Sequence, residues 1–85
     1  MTRQAAFFSI YPNPSTGQFT LEIADADLSA TITVEIVSLV GERLIRVELP
    51  AMKHYLFDIS DQQPGMYLVR VIRGKEAGVE RVIKH

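Results

Sequence analysis

Apolar and polar side chains alternate along most of this chain. In one clear stretch, Phe19, Leu21 and Ile23 are separated by Thr20 and Glu22. Because successive side chains of a strand point to opposite faces, this period of two predicts a strand with one buried and one solvent-facing side.

Seven alternating or apolar segments, separated by turn residues, follow one another along the chain: Phe7–Tyr11, Phe19–Ala24, Thr31–Val37, Arg43–Leu49, His54–Ile59, Met66–Arg73 and Gly78–Lys84. No segment carries a sustained helical period, and residues 25–30 could form one helical turn at most. Strands spaced about 8–12 residues apart, with Gly, Pro and Asp turns between them, are typical of an all-β sandwich. Their alternation indicates antiparallel sheets that each keep one face in water.

Two turn motifs, near opposite ends of the chain, each lead into a strand. Pro12 and Pro14 fix φ and keep the residues before them out of the helical region. Gly17 can then adopt a positive φ. Near the other end, Gly65 precedes a strand in which Tyr67 begins the inward-facing side.

The pattern also predicts which side chains face inward. In the last segment Val79 and Ile83 share one face, and Val82 lies on the other. The chain has three tyrosines, each predicted to pack in the core with its hydroxyl reaching a hydrogen-bond partner: Tyr11, Tyr55 and Tyr67.

Composition narrows the class of protein. With 85 residues, 47% hydrophobic and 22% charged, the chain suits one globular domain, with residues 1–6 interpreted as a linker or remnant and residues 7–85 as the sandwich. A net charge of −1 and the lack of a Lys or Arg cluster argue against nucleic acid as a partner. No apolar run approaches the roughly 20 residues that span a bilayer. Residues 1–8 lack a secretory signal, so the signal of an exported parent protein is expected outside this sequence.

Candidate chemical groups are few. The chain has no cysteine, which removes disulfides, thiolates and Cys-ligated zinc. No serine lies in a Gly-x-Ser-x-Gly turn, and His54 is interpreted as the exposed first residue of a strand. Asp25 and Asp27 are interpreted as turn formers, because no calcium-loop spacing surrounds them. We therefore expect no enzyme activity, no metal site and no cofactor.

The order of sequence blocks carries a resemblance to a known family. The blocks are Tyr11–Pro14 with Gly17, Val34–Glu42, Phe57–Ser60, Pro64–Val71 and Arg81–Lys84. In this order the chain resembles, from about Phe8 to its end, the type A C-terminal sorting domain of the type IX secretion system of Gram-negative bacteria.

The resemblance implies an immunoglobulin-like β-sandwich of about seven strands, which ends a larger secreted protein and has no active site. It implies recognition by the type IX translocon and an outer-membrane shuttle barrel. A sortase-like transpeptidase then typically removes the domain and joins the N-terminal cargo domain to an anionic lipopolysaccharide. The implied location is the periplasm in transit, then the cell surface or the medium. The residues that match the family's motifs are Pro12, Asn13, Pro14, Gly17, Gly41, Gly65, Tyr67, Arg81, Val82, Ile83 and Lys84.

Two positions depart from the family pattern. The family has an aspartate before the hairpin glycine, whereas this chain has Ser38, Leu39 and Val40 before Gly41, so we expect that turn to be held differently. The family tail commonly has two closely spaced lysines, for which Arg81 and Lys84 stand in here.

The last strand is expected at a sheet edge with its final residues free, where a barrel partner could add a strand or seat the tail in a groove. Arg81 and Lys84 would supply charge, and Val82 and Ile83 would be apolar anchors. Deletion of residues 82–85 is expected to leave the sandwich folded and to abolish export. The same edge could pair two isolated domains into a homodimer.

Two other functions stay open. A carbohydrate-binding or adhesive sandwich, accessory to a secreted enzyme, would need a planar patch of exposed aromatics, for which Phe7, Phe8 and Tyr11 are the clustered candidates. A structural spacer would hold neighbouring domains apart and would tolerate loss of the tail.

Overall fold

A computed structural model describes residues 7–24 and 30–85. It contains seven strands, one in each predicted segment: β1 (Phe8–Tyr11), β2 (Gln18–Ile23), β3 (Ile32–Ser38), β4 (Arg43–Leu49), β5 (His54–Asp58), β6 (Gly65–Arg73) and β7 (Glu76–Lys84). No helix occurs within these two ranges. The predicted linker at residues 1–6 and the predicted turn at Asp25–Asp27 lie outside the described residues.

The strands form two antiparallel sheets. The three-stranded sheet has the order β1-β2-β5, and the four-stranded sheet has the order β4-β3-β6-β7. The predicted antiparallel β-sandwich is therefore confirmed. Its connections cross between the sheets as in immunoglobulin-like sandwiches, except that β4 pairs with β3, whereas the constant-type domain places its fourth strand in the other sheet.

The core lies between the sheets and is filled from both by alternate residues. The buried apolar side chains are Phe8, Phe19, Leu21, Ile23, Ile32, Val34, Ile36, Tyr55, Ile59, Tyr67, Val69, Val71 and Val82. These are the positions at which the period of two puts an apolar residue on the inner face, so burial of apolar surface accounts for both the register and the pairing of sheets.

The β6–β7 hairpin is tighter than the sequence suggested. Arg73 pairs with Glu76, so that only Gly74 and Lys75 form the turn and β7 begins at Glu76 rather than at Gly78. Gly74 has φ of 60°, which a two-residue hairpin turn of type II′ requires at its first position.

The β3–β4 turn, which has no aspartate before Gly41, is held by Ser38. The Ser38 N–H donates to the Glu42 carbonyl at 2.9 Å, and the Gly41 N–H donates to the Ser38 carbonyl at 3.0 Å. The Glu42 N–H also donates to Ser38 Oγ at 3.2 Å. A hydroxyl therefore supplies the acceptor that a carboxylate would otherwise provide.

Two of the three tyrosines behave as predicted. The Tyr55 hydroxyl donates to the Pro50 carbonyl and accepts from the Met52 N–H, both at 2.6 Å. The Tyr67 hydroxyl donates to the Gln63 carbonyl at 2.5 Å, four residues upstream, in the manner of the tyrosine corner of immunoglobulin-like folds. The prediction for Tyr11 is wrong, because its place in β1 points it outward and leaves it 43% exposed.

Candidate recognition site

The chain crosses from one sheet to the other between Tyr11 and Ser15. It leaves the three-stranded sheet after Tyr11, and Ser15 forms a parallel bridge with Lys84 on the outer edge of β7. The Tyr11–Pro12 and Asn13–Pro14 peptide bonds are both cis. We call the segment Asn13–Ser15, seated on this edge, the clasp. It brings together sequence motifs from opposite ends of the chain.

Asn13 pairs with β7 through its side-chain amide. Asn13 Nδ2 donates to the Arg81 carbonyl at 2.7 Å, and the Ile83 N–H donates to Asn13 Oδ1 at 2.9 Å. The prolines on either side of Asn13 have no N–H to donate. The side-chain amide of Asn13 has a donor and an acceptor placed as in a peptide group. It therefore continues the β-ladder on β7 at a point where the neighbouring prolines cannot donate a hydrogen bond.

Ser15 extends this pairing with its own backbone. Its N–H donates to the Ile83 carbonyl at 2.8 Å, and the His85 N–H donates to the Ser15 carbonyl at 3.0 Å. The residue is only 2% exposed, and its Oγ accepts from the Gly17 N–H at 3.1 Å. Four hydrogen bonds with Asn13 and Ser15 therefore cover the outer edge of β7 from Arg81 onward and the N–H of His85, which follows the strand.

Gly17 anchors the other side of the crossing. Its φ is 124°, a conformation that side chains disfavour, and a Cβ at this position would lie 2.5 Å from Ser60 Cα. The Ile59 N–H donates to the Gly17 carbonyl at 2.8 Å. The backbone of Gly17 thus packs directly against the chain that follows β5, which fixes the path of the clasp relative to the three-stranded sheet.

The side chains of the last strand alternate between the core and the outer face. Val82 is fully buried, and Lys84 is 8% exposed. Arg81 is exposed, and Ile83 is 39% exposed on the opposite face. The predicted sides of Val79, Val82 and Ile83 are thereby confirmed.

Three parts of the predicted tail are wrong. The final residues are not free, because the clasp and β6 pair with both edges of the strand. Val82 is not an accessible anchor and Lys84 is not an exposed charge, because the alternation turns both inward. Deletion of residues 82–85 would remove a core side chain and the partner of the clasp, so an unchanged fold is no longer expected. The edge position of β7 is confirmed.

The remaining motif residues occupy the same end of β6 and the neighbouring turn. Gly65 pairs with Lys84 and Tyr67 pairs with Val82 in the β6–β7 register. Gly41 lies in the β3–β4 turn, outside the clasp. Sequence reasoning missed Ser15 and the pairing partner of Asn13. The sequence did offer a signal for the pairing of Asn13. This asparagine lies between two prolines, which have no N–H groups, so its side-chain amide is the group available to pair with a strand.

The charged groups on the outer face of the three-stranded sheet surround Glu22. The Tyr11 hydroxyl donates to Glu22 Oε1 at 2.8 Å, and this hydrogen bond raises the pKa of Tyr11. Lys53 Nζ lies 3.8 Å from Glu22 Oε2, and His54 Nε2 lies 3.7 Å from Glu22 Oε1. His54 is exposed at the start of β5, as predicted. At the far end of that strand, hydrogen bonds from Ser60 and then from Gln18 lower the pKa of Asp58.

Across residues 7–24 and 30–85, no three His, Asp or Glu side chains are grouped closely enough to hold a metal ion. Helices long and apolar enough to cross a membrane are also absent from this part of the chain.

The aromatic candidates do not form a common exposed surface. Phe8 is buried, and its ring meets that of Phe7 edge-on at a centroid distance of 5.4 Å. The guanidinium of Arg73 lies 4.7 Å from the centroid of the Phe7 ring. Tyr11 points to the opposite face of β1 from Phe8. A planar glycan-stacking platform would need these rings side by side.

The comparisons with known proteins agree with the sequence motifs. The family model for the secretion system C-terminal sorting domain matches residues 9–85. No curated protein matches the chain. The matched range includes the whole clasp, both turn motifs and the complete last strand.

Proposed function

The chain belongs to the C-terminal sorting domains of type IX secretion, and from this premise we propose that the export machinery reads the clasped end of β7. A sorting domain of this family marks a larger parent protein for export. The proposal adds where on the domain the mark lies: the clasp, together with the outward side chains of Arg81 and Ile83.

One observation carries the proposal. The motif residues at the two ends of the sequence, about 70 positions apart, meet through the hydrogen bonds of Asn13 with Arg81 and Ile83. A machinery that acts on many cargoes must recognise something that each cargo shares. The clasp is such a shared feature, since it belongs to the sorting domain and not to the cargo. It also forms only when the two motif regions are folded together, so a partner that binds it would select the folded domain.

The physical basis of recognition would be shape and hydrogen bonding. Asn13 and Ser15 occupy the backbone groups of the strand end, so a partner would contact exposed side chains there. Arg81 supplies charge and Ile83 apolar surface, on the same face of β7. An aliphatic side chain beside a guanidinium suits a docking surface with an apolar pocket and an acidic rim.

The later steps are part of the same proposal. The domain passes through the periplasm on its cargo and meets the translocon and an outer-membrane shuttle barrel. A sortase-like transpeptidase then removes it and transfers the cargo to a surface lipopolysaccharide. In these steps the domain serves as the recognition signal, and the catalytic groups that break the peptide bond belong to the transpeptidase.

Export of a reporter tests the routing. A fluorescent protein with a periplasmic signal is fused before this chain and expressed in a Gram-negative bacterium that has type IX secretion. We expect fluorescence at the cell surface or in the medium, and retention in the periplasm in a strain that lacks the translocon. Release that does not depend on the translocon would overturn the proposal.

The mass of the exported reporter tests the removal step separately. Intact-mass analysis should show a cargo without the domain and with an added surface group. A strain without the transpeptidase should export the full-length fusion. Full-length fusion in the parent strain would refute removal while leaving export itself unaffected.

A further inference from the structure

The clasp covers only the terminal half of the outer edge of β7. In an antiparallel ladder, alternate residues direct their N–H and carbonyl groups to the same side. Ile83 directs both groups toward the clasp, and the β6–β7 register runs without a shift from Lys84 to Glu76. Ala77 and Val79 therefore direct their backbone groups outward as well, as does the N–H of Arg81.

These outward groups are unoccupied within the part of the chain that the structure describes. The clasp ends at the Arg81 carbonyl, and no described residue hydrogen-bonds to the outward groups of Ala77 or Val79. Ala77 is exposed, and Val79 is 52% exposed. Exposed groups of this kind form the template on which another extended segment can pair.

The side chains beside this stretch are cationic on the outer face. Arg81 makes no ion pair with any described residue. Arg70, in the neighbouring strand opposite Val79, is 55% exposed and lies 3.9 Å from Glu35. That single carboxylate is shared with Arg43 at 3.4 Å and Arg46 at 3.0 Å. The exposed Glu48, opposite Thr33, is a second carboxylate on this face. The four arginines still outnumber these two acidic residues, so the face carries net positive charge.

A shallow depression adjoins the cationic residues. It has a volume of about 420 Å³ and is lined by Glu35, Val37, Leu68, Arg70 and residues 77–79. Val37, Leu68 and Val79 contribute apolar side chains to this lining, and the small residues Ala77 and Gly78 leave the edge of the strand accessible. Glu80 lies on the other face of β7, where it is half-buried.

We propose that the edge Ala77–Arg81 binds a short extended segment of a partner protein, with acidic residues at alternate positions facing Arg81 and Arg70. Hydrogen bonds from the outward backbone groups of Ala77, Val79 and Arg81 would provide affinity. The acidic side chains at alternate positions of the bound segment would provide specificity. Acidic side chains on the outer face would meet the arginines, whereas acidic side chains on the inner face would meet Glu80. This inference goes beyond the proposed function, because it names the open first half of the β7 edge, which meets the clasped half at Arg81, and it needs no export to be tested.

The geometry limits the length of the bound segment. The clasp occupies the outer edge of the strand from the Arg81 carbonyl onward, so a new strand can pair only from Ala77 to the N–H of Arg81. This favours a segment of about four to six residues, since a strand rises about 3.3 Å per residue. Weak, reversible binding is expected from so short a contact.

Nuclear magnetic resonance of the isotope-labelled chain tests the inference. The probe is a synthetic peptide, acetyl-Thr-Val-Glu-Val-Glu-Val-Thr-amide, and the control peptide has lysine at both glutamate positions. We expect amide shifts confined to residues 77–81 and their neighbours in β6, with slower hydrogen exchange at Val79. The lysine peptide should produce none.

Three variants separate strand addition from general attraction. Val79→Pro removes an outward N–H that β6 does not use, so binding should be lost while the fold persists, as edge positions tolerate proline. Arg81→Glu should weaken binding about tenfold or more, because like charges then face each other. Arg43→Glu is the matched control: it makes the same charge change at the other end of the same cross-strand row and should alter affinity less than about twofold.

The result that overturns the inference is equally specific. Binding that survives Val79→Pro, or that weakens equally with Arg43→Glu and Arg81→Glu, would show attraction without strand addition. Shifts centred on another surface, or none up to the solubility of the peptide, would also overturn it. If Val79→Pro fails to fold, the two arginine variants and the exchange rate of Val79 decide the question.

Discussion

Asn13 does for the crossing segment what a backbone amide does within a sheet. Its flanking prolines turn the chain from one sheet to the other but lack N–H groups, so the ladder on β7 would have a gap at this point. The two hydrogen bonds of the side chain, at 2.7 and 2.9 Å, fill it. The requirement for both a donor and an acceptor explains why asparagine is suited to this position.

Substitution of Asn13 by aspartate tests this account at the level of one atom. Asn13→Asp keeps the shape and the acceptor for the Ile83 N–H, but sets a carboxylate oxygen against the Arg81 carbonyl. We expect a loss of about 2 kcal/mol in the free energy of unfolding, measured by urea denaturation. Gln63→Glu, an amide-to-acid change on an exposed side chain, is the control and should cost less than about 0.5 kcal/mol. Equal losses would contradict the account.

Gly17 offers a second test at a single position. Gly17→Ala places a methyl group 2.5 Å from Ser60 Cα and imposes a disfavoured φ. We expect the free energy of unfolding to fall by more than about 3 kcal/mol, because backbone must move on both sides. Gly74→Ala has a positive φ but no atom within 4 Å of the new Cβ, so it should cost only about 1 kcal/mol. The difference between the variants isolates the steric contact from the φ preference.

At the scale of the element, the β3–β4 turn shows how a hydroxyl side chain helps to hold a hairpin turn. Ser38 Oγ accepts the Glu42 N–H at 3.2 Å. A carboxylate at this position would accept the same bond and would bear a charge, which strengthens hydrogen bonds.

We therefore expect opposite effects from two substitutions in this turn. Ser38→Ala should lower the free energy of unfolding by about 1 kcal/mol, and Ser38→Asp should leave it equal or higher. Thermal unfolding followed by circular dichroism provides the measurement. A stable alanine variant would mean that the Ser38 and Gly41 backbone bonds alone hold the turn.

The positions of the strands could be predicted from the sequence, but the contacts that cover the last strand could not. Alternation alone identified all seven and assigned Val82 and Ile83 to opposite faces of β7, because register follows from which side chains are apolar. It could not show that Val82 is inaccessible, since that depends on what covers the last strand. The clasp joins residues about 70 positions apart, and no local pattern encodes such pairing. The shift in the β3–β4 register between Ile36 and Val37 also left no signal in the alternation.

At the scale of the whole molecule, the sandwich brings the two ends of its sequence to one edge of one sheet. The two halves of the outer edge of β7 then differ in whether their backbone groups are occupied. Its terminal half is covered by Asn13 and Ser15, and its first half keeps outward backbone groups at Ala77 and Val79. Removal of the last residues would disturb the core and the clasp together, so truncation cannot separate folding from recognition. Folding and recognition can be separated by variants that weaken the hydrogen bonds of the clasp and leave the core side chains in place.

The most direct test of the central claim is the exported fraction of a fluorescent cargo fused to two destabilised forms of this chain. Asn13→Asp breaks the hydrogen bond of the clasp to the Arg81 carbonyl and sets two oxygens against each other, whereas Tyr55→Phe removes the hydrogen bonds to Pro50 and Met52, away from the clasp. Both should lower stability by about 1–2 kcal/mol. If the clasp is what the machinery reads, export falls severalfold with Asn13→Asp and stays near the parent level with Tyr55→Phe. Equal export by both variants, or losses that simply follow stability, would contradict the claim.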